Sequence, residues 1–176
     1  MMAEDRLTYC MKYVFGEEGG YVNNPKDKGG ATKFGVTQKT YDSFLKRHGL
    51  KPEAVINLKM ERAHEIYRGY WDAARCALAK PPLDLILFDT AINFGAGRAV
   101  EFLQKALSVK ADKVFGPGTH DAFVKAGSHI TLAESIVNQR VAYRHKRVQE
   151  DPTQKVFLKG WLNRDRRLLA VVERGY

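Results

Sequence analysis

The run Glu17-Glu18-Gly19-Gly20-Tyr21-Val22-Asn23-Asn24-Pro25-Lys26-Asp27-Lys28-Gly29-Gly30-Ala31-Thr32-Lys33-Phe34-Gly35-Val36-Thr37 joins two helical patterns. Its glycines admit backbone angles that other residues avoid. Asn24-Pro25 and Asp27 ahead of Gly29-Gly30 are turn chemistry. Upstream, Leu7, Cys10, Met11, Val14 and Phe15 recur at i, i+3, i+4, i+7 and i+8, the apolar stripe of an amphipathic helix. Gly16, Gly19 and Gly20 are stop signals, which puts Glu18 at or just past the helix C-terminus. That end carries partial negative charge, so a carboxylate there is disfavoured as an anion. Beside Tyr21 and Phe34, such a carboxyl can hold its proton near neutral pH, the property of a general acid. The plain alternative is a surface loop between two helices.

The residues Glu18-Gly-Gly-Tyr21, Asn24-Pro25, Asp27 and Gly29-Gly30-Ala-Thr32-Lys-Phe-Gly35-Val-Thr37 resemble the signature of glycoside hydrolase family 108. These are phage and bacterial N-acetylmuramidases of the lysozyme superfamily. The order Glu18, Asp27, Thr32 is also similar to the Glu/Asp/Thr arrangement of phage-type lysozymes, with a second spacer one residue shorter. Members often carry His before the catalytic Glu and an acid in the Gly-Gly-x-Thr gap; Glu17 and Ala31 stand there in this chain.

The resemblance implies a mainly α, lysozyme-like α+β fold: a helical bundle with a small irregular or β-hairpin segment at residues 19–36. It implies that Glu18 is the catalytic acid, Asp27 a base or electrostatic stabiliser, and Thr32 the residue that orients water. The substrate would be the β-1,4 bond between N-acetylmuramic acid and N-acetylglucosamine in peptidoglycan glycan strands. A carboxyl separation of about 6.5–9.5 Å would go with inversion and about 5 Å with a covalent intermediate. A lytic transglycosylase would use Glu18 alone. A wall-binding module without catalysis stands as a further alternative, suggested by Ala31 and by the second half of the chain.

The 176 residues suffice for one sizeable domain or two small ones, and 44% hydrophobic with 28% charged residues is an ordinary globular composition. A net charge of +9 favours an anionic partner: acidic wall polymer, membrane surface or nucleic acid. No helix-aligned base-reading residues accompany the charge, so nucleic acid is not expected. Cys10 and Cys76 read as two buried small hydrophobes, with a disulfide as the alternative. The histidines are scattered and no Cys/His cluster has zinc spacing, so neither metal nor cofactor is expected. The first residues hold Glu4, Asp5 and Arg6 without an apolar run, which argues against a signal peptide. The most apolar run, Leu83–Phe94, is interrupted by Asp84, Asp89 and Asn93 and is too short to span a bilayer. On the resemblance, the protein is made in the cytoplasm and acts at the wall, released there by a holin-type, hole-forming partner as in phage or prophage lysis.

Downstream, Thr37 reads as an N-cap for a short helix carrying Tyr41, Phe44 and Leu45, which ends near His48-Gly49. Ala63, Ile66, Tyr67, Tyr70 and Trp71 form a helical stripe that is either core or, through Tyr70 and Trp71, a surface for stacking on sugar rings. Lys80-Pro81-Pro82 interrupts helix and divides a catalytic region, 1–82, from a helical wall-binding region, 83–176, packed against it. Residues 83–94 are apolar nearly all round, a central buried helix in which Asp89 and Asn93 share a face. That pair either satisfies neighbouring helix ends or lines a substrate groove. Gly95 and Gly97 break this helix, and Ala99, Val100, Leu103, Ala106 and Leu107 carry the next. With the turn at 111–119, this segment resembles the short helical peptidoglycan-binding modules attached to wall hydrolases. Helices over 131–148 and 154–174 complete the chain, with Arg140, Arg144, His145, Lys146, Arg147, Arg164, Arg166 and Arg167 forming two basic faces, either solvated or binding anionic wall polymer or lipid phosphate.

Overall fold

Glycines and threonine or serine caps set the ends of several helices. The computed structural model describes residues 3–16, 20–22 and 30–174, which contain eight α-helices and one three-stranded antiparallel sheet. This is the mainly α, lysozyme-like architecture expected from the sequence. The chain resolves into two compact units, residues 1–69 and 70–176.

In the first unit, α1 (Ala3–Phe15) buries Leu7, Cys10 and Met11. It stops at Gly16, whose φ of +67° is left-handed. Strands β1 (Tyr21–Val22), β2 (Thr32–Lys33) and β3 (Val36–Thr37) follow, with Val22 opposite Thr32 and Lys33 opposite Val36. Thr37 caps α2 (Gln38–Arg47): its hydroxyl accepts the Thr40 N–H at 3.2 Å, as expected of an N-cap. The face of α2 with Tyr41, Phe44 and Leu45 is buried. A 3-10 turn, Val55–Asn57, leads to α3 (Met60–Ala73). Within the first unit, α3 buries Ala63, Ile66 and Tyr67.

In the second unit, α4 (Leu83–Phe94) is buried from Leu83 to Ala91, the central helix that its all-round apolar sequence predicted. Gly95, at φ +87°, ends α4 and opens α5 (Ala96–Ala106). Gly97 lies inside α5 and breaks nothing. The segment after α5 is more ordered than its turn composition suggested. Gly116-Pro117 starts α6 (Pro117–Lys125), with proline at the position where its missing N–H costs nothing. The N-cap Ser128 opens α7 (His129–Glu150), and α8 (Lys155–Arg174) follows a single 3-10 turn. Helices α4, α5, α7 and α8 pack together around α4 and α7. Cys10 and Cys76 are buried thiols.

The two basic faces foreseen on α7 and α8 are only partly solvated. Arg140 is 0% exposed and Arg144 is buried; both point into the helix bundle. The guanidinium of Arg140 bridges Asp89 at 2.7 Å and Asp165 at 2.8 Å, and donates to Thr90 Oγ1 at 3.1 Å. Arg144 Nε donates to Asp165 Oδ2 at 2.5 Å, and Arg164 closes on the second Asp89 oxygen. Two carboxylates thus face three guanidiniums, an arrangement in which a buried charge is tolerated because it is paired and hydrogen-bonded. Helical spacing could not separate these arginines from solvated neighbours, because their partners lie 21 to 75 residues away.

Candidate active site

The β2–β3 hairpin turns through Phe34 and Gly35, both with positive φ, at +51° and +74°. Two successive left-handed residues match the twist of a two-residue hairpin, and a phenylalanine at the first of them is unusual. Its carbonyl accepts the Tyr67 hydroxyl at 2.7 Å. A Cβ on Gly35 would come within 2.7 Å of the Phe15 ring and 2.9 Å of the Tyr67 hydroxyl. Phe15, the last residue of α1, lies against the Tyr67 ring at 4.1 Å between centroids. The end of α1, the hairpin tip and α3 are therefore clamped together. The chain leaves that clamp toward Glu17 and Glu18, and Thr32 stands on the strand leading into the hairpin.

The rest of the hairpin is tied to the α2 side. Lys33 Nζ donates to the Ile56 carbonyl at 2.5 Å. Gln38 Nε2 donates to the Glu53 carbonyl at 2.9 Å, and its Oε1 accepts the Val55 N–H at 2.6 Å. The Tyr41 hydroxyl bonds the Glu53 carboxylate and accepts from Arg62 at 3.2 Å. Burial, then the hydrogen bond to Glu53, hold that phenol above its ordinary pKa, so it stays a donor. These bonds fix a platform of backbone and short polar groups.

Glu18 and Asp27 lie outside the described residues. Thr32 is half-buried, and its hydroxyl donates to the Gly30 carbonyl at 3.3 Å. Tyr21 is 40% exposed on β1, which leaves its ring open to a ligand. Phe34 is half-buried, with Lys33 Nζ 5.3 Å from its ring centre. Tyr21, Thr32 and Phe34 therefore belong to one small sheet and its turn.

The other residues named from the sequence lie in the second unit. Tyr70 is half-buried. Trp71 is buried edge-on against Phe88, 5.6 Å between centroids. Asp89 is 1% exposed at the centre of the arginine cluster. Burial pushes its carboxyl up, but the charges and hydrogen bonds of Arg140 and Arg164 outweigh that and hold it below the usual carboxylate range. Asn93 sits at the exposed end of α4 and donates to the Asp89 carbonyl at 2.8 Å and its carboxylate at 3.2 Å. Gln104, which the sequence offers only as part of the Phe102-Leu103-Gln104 run in the wall-binding resemblance, is 1% exposed. Its amide nitrogen donates to Asp112, the Val114 carbonyl and Thr119, each at 2.9 Å, and its oxygen accepts the Lys113 N–H at 3.0 Å. A glutamine on an apolar helix stripe was the available signal.

The profile of glycosyl hydrolase 108 matches residues 11–95, and that of a predicted peptidoglycan domain matches residues 98–166. Among solved structures, the chain is similar to the one titled "Structure of Brucella abortus SagA", with 32% identity and a TM-score of 0.83 over 97% of this chain and 95% of that one. No curated protein matches the sequence. Among the described residues, no helix is long and apolar enough to cross a membrane. The signature around the glycine-rich loop, the helical fold and the two consecutive profiles agree, and the chain belongs to glycoside hydrolase family 108, as a glycoside hydrolase acting on peptidoglycan.

Proposed function

We propose that the protein is an N-acetylmuramidase that cleaves the β-1,4 bond between N-acetylmuramic acid and N-acetylglucosamine. The observation that carries this reading is the Phe15–Gly35–Tyr67 clamp. It fixes the end of the helix that leads to Glu18 against the hairpin that bears Thr32 and Phe34, which supports a preorganised site. In this reading Glu18 donates its proton to the glycosidic oxygen. Asp27 activates water or stabilises the oxocarbenium-like transition state, and Thr32 orients that water. Tyr21 and Phe34 offer apolar ring surface to the sugars. From their helical spacing, Tyr70 and Trp71 are the further candidate rings for stacking on sugars, and Asp89 with Asn93 the candidate lining of a substrate groove.

The division of labour that goes with this gives cleavage to residues 1–82 and wall binding to residues 83–176. The same resemblance suggests a phage or prophage lysis protein that reaches the wall through a holin-type partner; co-expression with and without such a pore, followed by lysis, tests that step. For the chemistry, purified protein is incubated with peptidoglycan and the soluble products are identified by mass spectrometry. Reducing N-acetylmuramic acid ends are expected. A 1,6-anhydro end would make the enzyme a lytic transglycosylase, and wall binding with no cleavage would make it a binding module.

A further inference from the structure

The second unit contains a groove with no catalytic role assigned to its residues. A cleft of about 470 Å³ is bounded by Trp71, Asp72 and Arg75 on one side and Phe115 and His120 on the other. A second, of about 510 Å³, continues past Lys80, Phe123 and His129. The two share Leu78 and His120, so they adjoin beside α6 and together make up a trough. Its floor is a chain of rings: Phe115 lies 6.4 Å from His120 and 6.2 Å from Phe123, and Phe123 lies 4.9 Å from His129. Leu78, Val124 and Ile130 are 47%, 67% and 45% exposed along it. Exposed aliphatic surface concentrated in one concave feature marks a binding groove.

The charged groups of the trough are two cations and one acid. Arg75 and Lys80 are exposed, and among the described residues neither side chain has a hydrogen-bond or ion-pair partner. Arg75 sits at φ +57°, an angle that glycine would adopt without strain, so the turn itself does not require an arginine. His129 accepts the Lys80 N–H through Nδ1 at 2.9 Å, which leaves hydrogen on Nε2 as a donor. Asp72 is the carboxylate in the first cleft. The trough thus offers two unpaired cations, an imidazole donor, one acid and small apolar pockets.

Taking the protein to be a peptidoglycan hydrolase, we infer that this trough binds the stem peptide of peptidoglycan rather than its sugars. A stem peptide is extended, bears small methyl side chains, and carries several carboxylates together with an amine. Arg75 and Lys80 answer the carboxylates, Asp72 answers the amine, and the ring floor accepts the methyl groups. A sugar site would instead need amide and carboxylate groups arranged around hydroxyls, and the trough is poor in them.

The test uses the full chain, titrated by calorimetry or two-dimensional NMR. One probe is the tetrapeptide stem released from wall by an amidase; the other is chitotetraose. The tetrapeptide is expected to bind saturably, and Arg75→Gly and Lys80→Glu are each expected to weaken it about tenfold or more. Circular dichroism monitors folding, and both side chains are exposed, so loss of binding is not loss of fold. Glu18→Gln is expected to leave tetrapeptide binding unchanged. Absence of saturable tetrapeptide binding overturns the inference, as does binding that both variants leave intact. Chitotetraose binding that Arg75→Gly abolishes would make the trough a glycan site and overturn it equally. Cleavage of peptide-free glycan without tetrapeptide binding would sink this inference and leave the muramidase reading standing; tetrapeptide binding without cleavage would do the reverse.

Discussion

Replacing Gly35 by alanine tests whether the clamp at the hairpin tip holds the catalytic region together. A β-carbon there would lie 2.7 and 2.8 Å from two Phe15 ring carbons and 2.9 Å from the Tyr67 hydroxyl, all inside contact distance. The backbone sits at φ +74°, where an L side chain costs about 1–2 kcal/mol. Forcing extra volume into a packed site adds about 1–3 kcal/mol. The sum is about 2–5 kcal/mol, and at about 2–4 °C per kcal/mol for a chain of this size the melting temperature should fall by about 4–20 °C. Gly30→Ala is the control, because Gly30 also has positive φ, +70°, but among the described residues nothing lies within 4 Å of its added carbon. That variant should show the conformational term alone, about 1–2 kcal/mol. The assay is thermal unfolding followed by circular dichroism, with wall-turbidity clearance measured on the same samples. If Gly35→Ala melts within a degree of Gly30→Ala, the close approach of Phe15 and Tyr67 does not constrain the hairpin, and the argument for a preorganised site fails.

Glu18→Gln keeps shape and removes the proton donor, so wall clearance should drop about 10²-fold or more, with Glu17→Gln as the control that retains activity. Asp27→Asn should reduce clearance, and full activity in that variant would return Asp27 to a turn role. In the arginine cluster, Asp89→Asn removes the carboxylate paired with Arg164 and one of the two on Arg140, and should destabilise the protein by about 3–5 kcal/mol in chemical denaturation. The pH dependence follows from the sign of the Asp89 shift. Its folded carboxyl ionises below the usual range, so the stabilisation is complete above the unfolded pKa of about 4 and is lost as pH falls through the lower folded value. Melting temperature should therefore drop on acidification below about pH 4, and less steeply in Asp89→Asn. Gln104→Leu removes an amide whose two N–H groups serve three acceptors and whose oxygen accepts one bond, and should loosen the 111–116 turn, lowering stability by about 1–3 kcal/mol and raising amide exchange there.

Much of the fold was legible because local chemistry dictates it. Thr37 announces a helix start whose orphan N–H it caps, and the structure has that bond. The apolar run at 83–94 carries no polar stripe, which only a helix surrounded on all sides can satisfy, and α4 is buried accordingly. The glycine-rich signature and the turn resembling wall-binding modules pointed to the two regions that the family profiles match. The turn expected over 111–119 overlaps the first residues of α6, which begins at Pro117.

Tertiary structure alone decided the rest, because the deciding partners are distant in the chain. Arg140 and Arg144 share a helix with solvated His145 and Lys146, and spacing treats them alike. They are buried because Asp89 and Asp165 arrive from α4 and α8. Gly35 looks like any turn glycine until Phe15 and Tyr67, 20 and 32 residues away by their numbers, close on it. The trough lined by Arg75, Lys80 and Phe115 has no local signature either, since its walls come from segments some 40 residues apart. Periodicity, caps and turns report on the few residues around each position, whereas burial of a charge, a close backbone approach and a groove are properties of surfaces that only packing brings together.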